Sequence, residues 1–235
     1  MILGSGLLAR AFESFRGDDR VLVFASGVSN SSTATEADHA RERNLLLQQA
    51  GTTARLVYFS TCSLFDPTLA DSGYIRHKLQ MEELIRARFP DHTILRLPNV
   101  VGHTPNPHTL CNYIRDQILS GRTINVQVKA CRYLMDVDMV TAACSPLVLS
   151  EHARSKSINI CFDHPVPVPE LVKAMERVLR KKAVIKEVVS GSCYYVDHAE
   201  FKQYWHAHLN LPWPAPDHWH SMLTKYYGEA MPSNL

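Results

Sequence analysis

Met1-Ile2-Leu3-Gly4-Ser5-Gly6-Leu7-Leu8-Ala9 opens the chain, and its reading decides the rest. Three apolar residues lead into a glycine turn. Leu7, Leu8, Ala11, Phe12 and Phe15 then recur at helical spacing, which predicts strand, tight turn and a helix over Leu7 to Phe15. The spacing of Gly4, Gly6 and Ala9 is G-x-G-x-x-A. The first glycine permits the turn, the second lets a pyrophosphate approach bare backbone, and the small third residue lets the helix sit close to the strand. A tight turn alone would account for the glycines, but the strand-turn-helix context is the one such a phosphate loop requires. Only 10 of the 235 residues are glycine, fewer than the usual ~7%, so two at the very start stand out.

Beyond the loop, apolar runs alternate with helical periodicity. Val21 to Ala25 is continuous and apolar, as in a strand buried on both faces. A polar loop from Ser26 to Thr35 leads to a helix from about Glu36 to Gln49. Leu56 to Ser60 is the next buried strand, Tyr74 to Phe89 a helix stopped by Pro90, and Thr93 to Leu97 a further strand closed by Pro98. This alternation predicts an α/β fold, a doubly wound parallel sheet with right-handed crossovers. After Asn99 it loosens: helices over Asn112 to Ser120, Val137 to Leu149 and Pro169 to Lys181, extended segments over Thr123 to Val128 and Ser157 to Phe162. Residues 1–98, completed by about 130–165, are expected to form a dinucleotide-binding core. Residues 99–129 and 166–235 are expected to form a substrate-binding lobe, whose aromatic tail is read first as packing.

Composition removes several classes. With 46% hydrophobic residues the chain can bury a core, and Lys+Arg 25 against Asp+Glu 23 leaves a net charge of +2, no footprint for nucleic acid. No apolar run is long enough for membrane insertion, and Met1-Ile2-Leu3-Gly4 is not a signal peptide. Six cysteines without a CxxC pair spell neither a zinc knuckle nor a redox dithiol, so a cytoplasmic protein is expected. The pairs His206/His208 and His218/His220 would suit a strand edge, but no metal is assigned.

Thr61, Tyr74 and Lys78 form a second constellation. Tyr74-Ile75-Arg76-His77-Lys78 is Y-x-x-x-K at a helix start, which stacks phenol and amine on one face. An ammonium beside a phenol is expected to lower its pKa towards a useful value, so that it can exchange a proton with a carbonyl or alcohol oxygen. Thr61 ends a buried strand, where ligands collect in open α/β sheets, and its hydroxyl can bond the same oxygen.

At this point the chain resembles the extended short-chain dehydrogenase/reductases, the NAD-dependent epimerase/dehydratase family of nucleotide sugars, in a form shortened by two strands on the adenine side. The resemblance implies Thr61, Tyr74 and Lys78 as catalytic residues of an NAD(P)-dependent enzyme. It implies cofactor contacts at Gly4, Gly6, Leu7 and Leu8, at the strand end Phe24-Ala25-Ser26-Gly27, at Ser60, Tyr74 and Lys78, and at Leu97 and Pro98. Arg96 to Gly102 is similar to the family's RxxNvyG, placing Asn99 at the substrate. Arg132 to Asp138 is similar to RDfihVdD, whose arginine binds the nucleotide diphosphate; a planar guanidinium suits that anion.

The departures carry as much. Where family dehydratases have Asp-Glu after the threonine, this chain has Cys62-Ser63, which argues against 4,6-dehydration. Only Arg16 to Arg20 links the first helix to the Val21 strand, so the residues that read the adenosine 2′ position are missing, and NAD and NADP are not distinguished. The Met1–Leu3 strand should then be a sheet edge, either covered in a homo-oligomer or very short. A site open on the adenine side should release its cofactor readily, which suits a reductase better than an epimerase. Ketoreduction of a 4-keto-sugar nucleotide is therefore expected, with C4 epimerisation as the alternative and a non-catalytic NAD(P)-binding sensor or scaffold behind it.

Overall fold

A computed structural model of the chain describes residues 1–28 and 34–228, so the loop expected from Ser26 to Thr35 falls partly outside the described residues. In chain order the elements are β1 (Ile2–Leu3), α1 (Leu7–Ala11), β2 (Val21–Phe24), α2 (Glu36–Leu47), β3 (Arg55–Thr61), α3 (Gly73–Arg88), β4 (His92–Leu97) and β5 (Asn99–Val101). They continue with α4 (Leu110–Ser120), β6 (Thr123–Gln127), β7 (Cys131–Arg132), β8 (Leu134–Asp136), α5 (Val137–Leu149) and β9 (Lys156–Asn159). The last are β10 (Val166–Pro167), α6 (Val168–Leu179), β11 (Val184–Val188), α7 (Ala199–His208) and α8 (His218–Tyr227).

A five-stranded sheet of order β1-β2-β3-β4-β9 carries the fold, and every pairing in it is parallel. Side chains alternate across a strand, and both faces are apolar. Val21, Val23, Val57, Phe59, Leu95 and Leu97 pack with Ala9, Phe12, Val140 and Leu147, from α1, the segment after it and α5. Leu22, Phe24, Leu56, Tyr58 and Ile94 pack on the other face with Leu46, Met81 and Ile85, from α2 and α3. The expected parallel α/β sheet with helices on both faces is present. Uniform right-handed winding is not. The strand order advances one way throughout while α1 and α2 cross on opposite faces, so their crossovers have opposite hands. The short link Arg16 to Arg20 carries the chain from the α1 face straight into β2.

The opening helix is also shorter than its periodicity suggests. It stops at Ala11, and Glu13–Phe15 forms a 3-10 turn that brings Phe12 and Phe15 into the same core, their rings 6.1 Å apart. β1 is indeed an edge, pairing with β2 over only two residues. The helices that position the site are capped by their own sequence. Thr35 and Asp38 form a capping box at α2, and the Ser72 hydroxyl accepts from the Ile75 N–H at 3.2 Å to start α3.

A second cluster, from α4, β6, α6 and α8, makes the lobe, with Trp219, Leu223 and Tyr227 inside it. Part of the aromatic tail goes elsewhere. Phe201, Tyr204 and Trp205 on α7 join the core of the main sheet with Phe162 and Trp213. The stretch around α7 therefore packs on the main sheet and not on the lobe to which 166–235 was assigned. His206 and His208 lie on α7 and not on a strand edge, where an i,i+2 pair would share a face.

Cys131 and Cys193 are joined in a disulfide with their Cα atoms 4.6 Å apart. No local motif announces it, because the partners are 62 residues apart in sequence; Cys62, Cys111, Cys144 and Cys161 are free and buried. Among the described residues no helix is long and apolar enough to cross a membrane.

Candidate active site

A cleft of about 550 Å³ opens where β1, β2, β3 and β4 end, and its far wall comes from the lobe. It is lined by Gly4 to Leu8, Phe24 to Val28, Phe59 to Thr61, Tyr74, Lys78 and Leu97 to Gly102, with Thr104, Asn106, His108 to Cys111 and Tyr227 on the lobe side. Every expected cofactor residue lies on this wall, together with Thr61, Tyr74, Lys78 and Asn99. Distant segments meet there because parallel strands all end on the same side of the sheet.

The two glycines of the opening loop act differently. Gly4 has φ +128°, and a Cβ on it would overlap the Ala25 carbonyl, lying 2.7 Å from its carbon. Its bareness lets β1 turn against β2. Gly6, at the N-terminus of α1, has φ −73° and nothing within 4 Å of where a Cβ would stand. It presents open backbone to the cleft, which fits a diphosphate.

Behind the cleft lies a buried polar cluster that sequence reasoning missed. Glu42 is fully buried on α2. Its carboxylate accepts from Tyr58 Oη at 2.6 Å, Lys78 Nζ at 3.1 Å and the Val28 N–H at 2.5 Å, and bonds His77 Nε2 at 3.0 Å. Lys78 Nζ also donates to Tyr58 Oη at 2.9 Å, and His77 stacks on His39 with ring centroids 4.1 Å apart. Gly27 is bare where Lys78 passes: a Cβ there would lie 2.9 Å from Nζ. A signal existed, since His39, Glu42 and Leu46 occupy the buried face of α2 and only a paired carboxylate survives in such a place.

The electrostatics correct one expectation. Lys78 does not lower the pKa of Tyr74. Its Nζ lies 6.0 Å from the Tyr74 ring centroid, paired instead with Glu42 and Tyr58. Burial raises the Tyr74 phenol to about 12, the Glu42 charge adds to this, and a hydrogen bond with Thr61 opposes it. Burial lowers the Lys78 ammonium against the pull of Glu42. Burial would raise the Glu42 carboxyl, but His77, the Lys78 charge, Tyr58 and the Val28 N–H hold it at about 2. Thr61 ends β3, and its Oγ1 accepts from the Ser63 N–H at 3.0 Å.

A neighbouring cluster braces β3 and β4. Buried Glu82 accepts from Ser60 Oγ at 2.7 Å, from Arg96 Nε at 2.9 Å and Nη2 at 2.6 Å, and from Arg86 at 2.6 Å. On the substrate side, Asn99 reaches the cleft with its Nδ2 donating to the Tyr133 carbonyl at 3.2 Å. Arg132, expected at the diphosphate, does not line the cleft. It donates to Asp66 at 3.3 Å and to Gln127 at 3.2 Å, because Asp66, only 1% exposed, requires a cation. The cation that does line the cleft beside Ser26 is Arg41, whose Nη2 donates to the Ser26 carbonyl at 3.2 Å. Arg10, near the same loop, donates to the Ser5 and His103 carbonyls.

No protein-family model matches the chain. It is 29% identical over 121 residues to the adenylate-forming reductase Nps9 of Serpula lacrymans, a match taking in 49% of this chain and 11% of that protein. The chain thus spans about a tenth of that curated relative. Among solved structures, it is similar to a UDP-N-acetylglucosamine 4-epimerase from Methanobrevibacter ruminantium in complex with UDP-N-acetylmuramic acid. The TM-score is 0.66 at 14% identity, over 97% of this chain and 81% of that one. It is similar also to RMD from Pseudomonas aeruginosa complexed with NADPH, with a TM-score of 0.66 at 13% identity over 96% and 88% of the two chains. These likenesses establish the architecture, a Rossmann-like parallel α/β fold shared with enzymes of the epimerase/dehydratase type.

Proposed function

We propose that the chain is an NAD(P)-dependent oxidoreductase of nucleotide-sugar metabolism that reduces a 4-keto-sugar nucleotide. The observation that carries this reading is the meeting of Thr61, Tyr74 and Lys78 with the Gly4–Leu8 loop in one cleft. Support comes from the NADPH bound to the Pseudomonas enzyme, the nucleotide-sugar ligand of the Methanobrevibacter epimerase, and the reductase named in the curated relative.

The open backbone at Gly6 and the bare Gly4 fit a dinucleotide diphosphate, for which Phe24 to Gly27 would hold the adenosine side and Lys78, Leu97 and Pro98 the nicotinamide side. When bound, that cofactor supplies the hydride. Tyr74 gives the proton to the carbonyl oxygen, and Thr61 donates a hydrogen bond to the same oxygen as charge builds on it. Asn99 faces the sugar, while Thr104, Asn106, His108 and Tyr227 line the rest of the substrate side. C4 epimerisation through the same carbonyl is the alternative.

The test adds NADH or NADPH, follows nicotinamide fluorescence, and then offers a 4-keto-sugar nucleotide to the wild type and to Tyr74→Phe. Turnover lost in the variant supports the reading. Binding without turnover points to a sensor, absence of binding to a scaffold, and turnover unaffected by Tyr74→Phe overturns the mechanism.

A further inference from the structure

The Glu42 cluster does something the Tyr74/Lys78 pair alone does not require. A carboxylate buried without solvent is costly, yet Glu42 is closed on four sides and touches the amine itself. We propose that Glu42 is a positioning residue that pins Lys78 and offsets its charge, so that Tyr74 enters the reaction protonated, as a donor. The charged and titratable groups around the pair are Glu42, His39 and Arg41 from α2, Tyr58 from β3, and His77 and Glu82 from α3, the last paired with Arg96 on β4. The nearest full charge opposing the ammonium is Glu42, whose carboxylate is shared with Tyr58.

The consequence is a direction. In reduction, the carbonyl carbon receives hydride with its electron pair from the reduced nicotinamide, the carbonyl oxygen takes the Tyr74 proton, and water in the open cleft returns a proton to the phenolate. Oxidation of an alcohol, the first half of an epimerisation, must start from the phenolate, which an ammonium already offset by a carboxylate does little to favour. Glu42 thus leaves the resting site in the protonated form from which reduction starts. This direction rests on the reductase reading, whereas the state of Tyr74 does not.

The test therefore needs neither cofactor nor substrate. Near-UV phenolate absorbance is titrated between about pH 8 and 11, and the Tyr74 contribution is isolated by subtracting the Tyr74→Phe version of each protein, with near-UV circular dichroism confirming the fold at each point. The wild type and Glu42→Asp, which keeps the charge, should show no Tyr74 phenolate in this range. Glu42→Gln should show one, with its midpoint lowered by about one pH unit or more. If Glu42→Gln does not fold, Glu42→Gln/Lys78→Met removes both charges together and, because each offsets the other, should leave the Tyr74 midpoint where the wild type has it. A Tyr74 midpoint unchanged in folded Glu42→Gln, one displaced by about a pH unit or more in the double variant, or a wild-type Tyr74 already ionised in this range, overturns the proposal. If the midpoint shifts but no ketone is reduced, the positioning role stands and the reductase reading fails.

Discussion

Gly4 and Ala25 touch so closely that β1 and β2 can end together only because Gly4 has no side chain: at φ +128°, a Cβ would lie 2.7 Å from the Ala25 carbonyl carbon. Two strand ends, and with them the Gly4–Leu8 loop and the Phe24–Gly27 wall of the cleft, are fixed by this contact. Gly4→Ala should cost about 2–4 kcal/mol, combining backbone strain with overpacking. Gly6→Ala meets nothing and has ordinary φ, so its stability should stay within about 0.5 kcal/mol while NAD(P)H binding weakens. Urea unfolding and nicotinamide fluorescence, read on both variants, separate the two roles.

Tyr74→Phe removes one oxygen from a half-buried ring and leaves the cleft's shape intact. Ketone reduction should fall about 10²–10⁴-fold in kcat, with NAD(P)H affinity changed less than threefold. A loss confined to KM would point to a binding role instead.

Glu82 holds Arg96 through two hydrogen bonds while also accepting from Ser60 and Arg86. Glu82→Ala leaves the half-buried Arg96 guanidinium without its partner, and should destabilise by about 3–5 kcal/mol. Glu82→Gln, which retains an acceptor, should cost less. Chemical denaturation of both variants is the measurement.

Acid should unfold the protein through these same carboxylates. Hydrogen bonds and cations overcome burial to hold Glu42 at about 2 and Glu82 below its usual 4.5. A folded-state pKa below the unfolded one gives stability that is complete above the unfolded value and is lost as pH falls through the folded one. Urea midpoints should therefore be flat above about pH 5 and decline below it, by up to ~1.4 kcal/mol per pH unit for each group. Glu42→Gln should flatten that slope.

The Cys131–Cys193 bridge closes a loop of 62 residues, worth up to about 4 kcal/mol by the chain-entropy estimate. Reduction should lower the urea midpoint of the wild type and leave Cys131→Ser unaffected. Thiol counting by mass spectrometry under non-reducing conditions should find four free cysteines, not six.

What the sequence determined by itself was whatever is local or periodic. Continuous apolar runs marked strands buried on both faces, and the helices of the core fell within a few residues of their periodicity. Gly4-Ser5-Gly6 and the i,i+4 pair Tyr74/Lys78 announced themselves by spacing, and all the expected cofactor positions line one cleft. What only the tertiary structure decided involves partners distant in the chain. Glu42 reaches Lys78 across 36 residues, and Arg132 turns to Asp66 across 66. The disulfide spans 62 residues, and α7 joins the sheet's core far from where its position in the chain suggested. The reason is that a charge or thiol in sequence carries no label of its partner. Burial sets the energy of an unpaired group, and which groups are buried together is settled only when strands and helices from separate segments pack. For that reason Tyr74 and Lys78 were readable in the chain as a spaced pair, while the buried carboxylate that pairs with Lys78 came from Glu42 on another helix.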